Sequence, residues 1–216
     1  MPALQAVIFD LDGVIVSTDE YHYLAWKQLA DEEGIEFDRK INERLRGVSR
    51  MESLRIILEK ADRNYSDAEQ LLLAERKNNT YRELLHKLSP ADILPGVMDW
   101  IRELKQHGLK VAIGSSSKNA RPILLAIGLE KTFDAVVDGT DITKSKPDPE
   151  VFNLAAKILG VTDQHCLVVE DAGAGVDAAL AAGMQVLAVG SATTHPDPTF
   201  KAESLGEVLV NEVLKQ

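Results

Sequence analysis

Four short apolar runs punctuate the chain, at Ala6–Phe9, Val111–Ile113, Leu167–Val169 and Val186–Val189, with a weaker fifth at Ala135–Val137. Each is near-continuous rather than alternating, which predicts strands covered on both faces. Segments of helical pattern follow most of them, at Pro122–Ala126, Pro149–Leu159 and Val176–Ala182. Strand–helix alternation of this kind predicts an α/β fold, with a Rossmann-like parallel sheet and right-handed crossovers. Ligands bind such sheets beyond the carboxyl ends of the strands, so chemistry is expected just after each apolar run.

The stretch from about Thr18 to Pro90 is charged, helical in pattern and poor in strand signals. Tyr21, Leu24, Ala25 and Leu29 are spaced i, i+3, i+4, i+8, which predicts one apolar helix stripe. Leu54, Ile57 and Leu58, then Leu71 and Leu72, continue the pattern, and Tyr81, Leu84, Leu85 and Leu88 mark the last helix. The expected organisation is a core of residues 1–17 and 91–216, with residues 18–90 inserted as a helical cap. Its hinges are expected near Val16–Thr18 and Ser89–Asp92. Ala192–Pro198 reads as a polar loop before a terminal helix.

Composition narrows the partners. A formal charge of −10 over 216 residues argues against nucleic acid, which requires a clustered cationic face. It does not argue against a small anionic substrate, because a few Lys and Arg in a cleft dominate at close range. No run approaches the roughly 18 apolar residues of a membrane span. The opening MPALQAVIFD has no basic n-region and no cleavage site, so a cytoplasmic protein is expected, and separately a monomer. The single cysteine, Cys166, lies in the apolar run CLVV; it reads as a small core residue, with a reactive thiol as the alternative.

Four motifs follow apolar runs. Asp10-Leu11-Asp12-Gly13 sets two carboxylates one residue apart at a strand end. They repel each other, and a hard divalent cation such as magnesium relieves the repulsion. One carboxylate can attack phosphorus while the other handles a proton; the plain alternative is a solvated acidic turn. Ser115-Ser116-Ser117-Lys118-Asn119 offers hydroxyl, amide and backbone N–H groups to an oxyanion, or serves as an ordinary helix cap. Ser145-Lys146-Pro147-Asp148-Pro149 fixes an ammonium on a stiff segment, or is a surface turn. Glu170-Asp171, followed by Ala172-Gly173-Ala174-Gly175, supplies further metal ligands or a helix-start acidic pair. Their joint occurrence, in this order and at successive strand ends, favours the chemical reading of all four.

On these residues the whole chain resembles the haloacid dehalogenase superfamily. FDLDGV matches its first motif, Ser115 its second, Lys146 its third and Glu170-Asp171 its fourth. The resemblance implies Asp10 as nucleophile and magnesium ligand. It implies Asp12 as general acid/base, with its backbone carbonyl on the metal. Ser115 and Lys146 would hold the transferring phosphoryl group, and Glu170 and Asp171 would complete the metal site.

The insert resembles the β-phosphoglucomutase branch in particular, through Glu20-Tyr21-His22, Arg46-Gly47-Val48-Ser49-Arg50, Glu75-Arg76-Lys77-Asn78 and Ser89-Pro90-Ala91-Asp92. That implies a catalytic role for His22, coupled to Lys77. Arg50, Ser117 and Asn119 would grip the phosphate that is not transferred, with Gly47, Val48, Ser49, Asn78 and Lys118 contributing. Taken singly, His22 reads more readily as a half-exposed surface histidine, and Arg50 as a solvated or carboxylate-paired arginine. A bisphosphate, however, needs a second cationic site, and a guanidinium binds phosphate bidentately. Ser17 stands where relatives often carry aspartate and Arg46 where lysine is common, so both changes touch substrate assignment more than reaction class.

The implied reaction interconverts β-D-glucose 1-phosphate and glucose 6-phosphate through β-glucose 1,6-bisphosphate and an aspartyl-phosphate. The rival is a sugar-phosphate phosphatase on the same core. A non-catalytic binding module would not need Asp10, Asp12, Lys146 and Asp171 together.

Overall fold

Every one of the five apolar runs becomes a strand. In chain order the elements of the computed structural model are β1 (Ala6–Phe9), α1 (Asp19–Glu32), α2 (Arg39–Glu43), α3 (Arg50–Leu58), α4 (Asp67–Leu85), α5 (Val97–Gln106), β2 (Lys110–Gly114), α6 (Ala120–Ala126), β3 (Ala135–Val137), α7 (Glu150–Leu159), β4 (Cys166–Glu170), α8 (Gly173–Ala181), β5 (Gln185–Val189), β6 (Phe200–Ala202) and α9 (Val210–Leu214). The structure describes residues 3–45 and 48–214. The chain divides into two units, Met1–Ser17 with Ser89–Gln216, and Thr18–Leu88. Ser89 and Pro90, which the sequence reading gave to the insert, lie in the first unit. There they open a short 3-10 turn in which the Ser89 amide donates to the Asp92 carboxylate at 2.8 Å.

In the first unit the six strands form one parallel sheet, ordered β3-β2-β1-β4-β5-β6. The register is what matters for function. Phe9 of β1 lies opposite Ile113 of β2 and Val169 of β4. The residues that follow, Asp10, Gly114-Ser115 and Glu170, therefore emerge side by side at one edge of the sheet. β1 and β4 are buried along their whole length, so their continuous apolar pattern reflects cover on both faces. One core layer packs Phe152, Ala155, Ala156 and Leu159 of α7 and Val176, Ala178 and Ala179 of α8 against Ile8, Ala112 and Val168.

Two elements were not anticipated. Helix α5 buries Val97, Trp100, Ile101 and Leu104, a helical spacing visible in the sequence, and the Trp100 indole donates to the Val208 carbonyl at 2.8 Å. Strand β6 follows the expected loop, at the start of the stretch expected to be the terminal helix. It is three residues long and not fully buried, and it pairs Phe200 with Leu187. Cys166 is buried, and its thiol donates to the Thr162 carbonyl. Burial, with Asp163 nearby, pushes its pKa up to about 12, so it has little thiolate character.

In the second unit α1 and α4 pack together, with α3 against α4. Helix α4 starts at a capping box formed by Ser66 and Glu69 and holds both Leu71-Leu72 and Tyr81-Leu85, which belong to one helix. The anticipated stripes are corrected in phase. On α1 the buried residues are Ala25, Trp26, Leu29 and Ala30, whereas Leu24 is 39% exposed. On α4 they are Leu73, Ala74, Lys77, Tyr81 and Leu85, whereas Leu71 and Leu72 are 61% and 70% exposed. The large Trp26 ring and the Tyr81 ring set the facing surfaces, and the leucines one position out of phase turn to solvent. No helix among the described residues is long and apolar enough to cross a membrane.

The corrected phase has a direct test. Leu54, fully buried in α3, should cost about 2–5 kcal/mol as Leu54→Ala. Leu72→Ala should stay within about 0.5 kcal/mol of the parent. Urea denaturation of both variants measures the contrast, and equal losses would put Leu72 in a core.

Candidate active site

Three carboxylates converge where β1 and β4 end. Donor oxygens of Asp10, Glu170 and Asp171 all lie within 4.8 Å of one another. Asp10 and Glu170 are buried and Asp171 partly so. Two glycines make the convergence possible. At Gly13, whose φ of +85° suits the sharp exit from β1, a Cβ would sit 2.1 Å from Asp171 Oδ2. At Gly175, in the first turn of α8, a Cβ would sit 2.0 Å from the Glu170 carboxylate. Larger residues at either place would push an acid out of the cluster.

Lys146, from the segment between β3 and α7, supplies the counter-charge. Its ammonium donates to Asp10 Oδ1 at 2.5 Å and to Glu170 Oε2 at 2.8 Å, and it sits 4.7 Å from the centre of the Phe152 ring. Burial alone would depress the pKa of this lysine. The Asp10 and Glu170 charges outweigh burial and hold it above the ordinary lysine range. Glu170 is pushed up to about 7, chiefly by burial and further by Asp10, against the opposing pull of Lys146. Three close carboxylates form a set of hard oxygen donors that fits a divalent ion such as magnesium.

Asp12 is partly exposed and its carboxylate falls outside this cluster. It lies in a tight loop held by Gly13 N–H to Val16 O at 2.8 Å and Ile15 N–H to Leu11 O at 2.9 Å. An acid beside the ligand cluster but not of it suits proton transfer at a neighbouring oxygen.

After β2 the serine turn folds on its own hydroxyls. The Ser117 amide donates to Ser115 Oγ at 3.2 Å and the Asn119 amide to Ser117 Oγ at 3.2 Å. Ser115 and Asn119 are buried, Ser117 is half-buried and Lys118 exposed. The Lys146 amide reaches Ser116 Oγ at 3.5 Å, so this turn and the Lys146 segment meet.

The second unit carries a separate cationic cluster. Lys77 is buried, although lysine is rarely so, and its ammonium lies 2.8 Å from His22 Nδ1. The same ammonium stands 4.7 Å from the Trp26 ring and 4.8 Å from the Tyr81 ring. Tyr81 stacks on His22 at 4.0 Å, and its hydroxyl meets Thr18 Oγ1 at 2.9 Å. Trp26, Tyr81 and Thr18 complete this surrounding; the sequence reading took Tyr81 as packing and Thr18 as a hinge residue, and did not single out Trp26. An ammonium only donates, so His22 Nδ1 must accept and the ring is neutral with its proton on Nε2. The electrostatics agree, since burial first, then Lys77 and Arg50, hold the His22 pKa well below 6.5.

Arg50 opens α3, behind the N-cap Ser49, whose hydroxyl accepts from the Glu52 amide at 3.3 Å. Burial lowers the Arg50 pKa, against the Glu75 charge. Val48 is exposed, Asn78 is half-buried, and Gly47 lies outside the described residues, as does Arg46.

Comparison with known proteins gives these two clusters a context. Residues 4–183 match the family described as haloacid dehalogenase-like hydrolase. The chain is 47% identical over 189 residues to a β-phosphoglucomutase of Bacillus subtilis, covering 87% of this chain and 84% of that one. It is 34% identical over 187 residues to a fructose-1-phosphate phosphatase of Escherichia coli, covering 85% and 95%. The crystal structure of β-phosphoglucomutase from Clostridium difficile superposes with a TM-score of 0.90 at 39% identity, covering 98% of this chain and 96% of that one.

Two outcomes follow from the geometry. Gly175→Ala should weaken magnesium binding by about 10- to 100-fold while the circular dichroism spectrum is retained; calorimetric titration with the ion decides it. Nitrogen-15 NMR of His22 should show the neutral Nε2–H form at pH 6.5. Because its folded pKa is depressed, His22 contributes stability that is present above pH 6.5 and declines as pH falls below that value. A protonated ring at pH 6.5 would contradict the Lys77 hydrogen bond.

Proposed function

We propose that this chain, which belongs to the haloacid dehalogenase-like hydrolase family, is a magnesium-dependent β-phosphoglucomutase. It interconverts β-D-glucose 1-phosphate and glucose 6-phosphate, with β-glucose 1,6-bisphosphate as intermediate and activator. The observation that carries the reading is the buried Lys146 ammonium between Asp10 and Glu170 at the sheet edge, beside Asp171. The 47% identity to the Bacillus subtilis enzyme supports the mutase over other chemistries of the family.

Asp10 attacks phosphorus, forming an aspartyl-phosphate as the bond to the sugar oxygen breaks. Asp12 protonates that leaving oxygen, and in the reverse sense takes the proton from the accepting hydroxyl. Transfer to the 6-hydroxyl of β-glucose 1-phosphate gives the bisphosphate. The bisphosphate rebinds in the other orientation and returns its 1-phosphate to Asp10. Phosphoryl transfer depends mainly on alignment and charge neutralisation. Lys146 and Ser115 provide these for the transferring group, while Ser117 and Asn119, with Lys118, join Arg50 on the phosphate that is not transferred. Asp10, Glu170, Asp171 and the Asp12 carbonyl would hold magnesium, which when bound supplies the remaining positive charge.

Residues 18–88 act as the cap in this reading. Arg50 binds the phosphate that is not transferred, and neutral His22, fixed by Lys77, offers its Nε2–H to the sugar phosphate. Gly47, Val48, Ser49 and Asn78 belong to the same grip. The cap also keeps water from the phospho-aspartate. The reading includes a monomer acting in the cytoplasm. The resemblance to the Escherichia coli phosphatase favours a second reading, in which water is the acceptor.

A coupled assay separates the two. Glucose 6-phosphate should form from β-glucose 1-phosphate with magnesium and catalytic bisphosphate, without stoichiometric phosphate release. Asp10→Asn should lower turnover on the order of 10⁴-fold or more. Predominant phosphate release would establish the phosphatase, and an undiminished Asp10→Asn variant would remove Asp10 as nucleophile.

A further inference from the structure

The loop after β5 touches the acidic cluster through one bond. Ser191 Oγ–H donates to the backbone carbonyl of Asp171 at 2.7 Å, across 20 residues of sequence. That carbonyl shares its rigid peptide plane with the Ala172 N–H. The Ala172 N–H in turn donates to Glu170 Oε1 at 3.1 Å, as does the Asp171 N–H. A single peptide plane thus has both polar ends occupied, one by Ser191 and the other by a carboxylate of the cluster. Turning that plane would carry the Asp171 carbonyl with it and remove one of the two amides that hold Glu170 Oε1.

The loop that presents Ser191 is itself fixed. Gly190–Thr194 forms a 3-10 turn whose Ala192 is buried in the main core cluster. Thr193 Oγ1 donates to Gly190 O at 2.7 Å and Thr194 Oγ1 to Ser191 O at 2.9 Å. His195 fastens the far end: its Nε2 lies 3.1 Å from Asp177 Oδ1 on α8, and its Nδ1 accepts from the Asp197 amide at 3.3 Å. The segment from Glu170 to Asp177 is therefore held against the 190–197 loop at two points. Ser191 stands exposed, so no packing demand explains a hydroxyl there.

We infer that Ser191 is a positioning residue for the metal site, locking the Asp171–Ala172 peptide so that Glu170 and Asp171 are preorganised for a divalent cation. The inference rests on the reading that Asp10, Glu170 and Asp171 hold magnesium. Ser191 touches neither substrate nor ion and acts through the peptide alone. Its effect belongs on cation affinity rather than on the chemical step at saturating cation, because partners of metal ligands tune binding through ligand orientation.

The test is calorimetric titration with magnesium of the parent chain, Ser191→Ala and Ser191→Thr, with thermal melting of the cation-free proteins. Ser191→Ala should raise the dissociation constant about three- to tenfold, the effect of one hydrogen bond, while its melting temperature stays with the parent. Ser191→Thr keeps the hydroxyl and should restore the affinity. Unchanged affinity in Ser191→Ala, or a loss that Ser191→Thr fails to restore, would overturn the role of Ser191 while leaving the metal site intact. A parent chain that does not bind magnesium would instead overturn the metal site itself, and Ser191 with it.

Discussion

Charge balance at the end of β1 is the constraint on which the rest of the structure depends. Asp10 and Glu170 are buried carboxylates, and a buried charge persists only when paired and hydrogen-bonded. Lys146 meets both, and Glu170 further accepts from the Asp171 and Ala172 amides. Removing one partner from such a buried set costs roughly 3–5 kcal/mol, because the remaining charge is stranded. The parallel sheet with β1 at its centre makes the arrangement possible, since it brings three loops to one edge with Phe9, Ile113 and Val169 in register. The fold thus brings three carboxylates and one ammonium to a single edge, a set of hard oxygen donors that suits a divalent cation.

The second unit solves the opposite problem. There the buried charge is the Lys77 ammonium, held by two aromatic faces and an imidazole lone pair. Each of these contacts favours a cation. A chain of net charge −10 thus gathers Lys77 and Arg50 around one histidine.

The sheet was largely legible in the sequence because a strand buried on both faces leaves an unbroken apolar run, and motifs just after such runs must surface at the same edge. Asp10, Ser115, Lys146, Glu170 and Asp171 were found in this way. The helix faces were less legible. Leu24 and Trp26 are both apolar on α1, and only the partner helix decides which turns inward. β6 left little trace, being short and incompletely covered. The surroundings of His22 were harder still, since Trp26 and Tyr81 carry the same apolar signal whether they fill a core or hold an ammonium. The bond from Ser191 was beyond reach, because its partner is a backbone carbonyl and every residue has one.

Preorganisation in this chain rests on small residues as much as on charged ones. Two of the three acids occupy a volume that a neighbouring glycine leaves open, Gly13 for Asp171 and Gly175 for Glu170. A methyl group at either place would force an acid to move, although it would alter no charge. The glycines also bring the loop after β1 and the first turn of α8 close enough for three carboxylates to share one region. Repulsion among those acids would drive them apart if the backbone could yield. Bound peptide groups, closed turns and missing side chains together prevent that, so the electrostatic strain stays available for a cation to relieve.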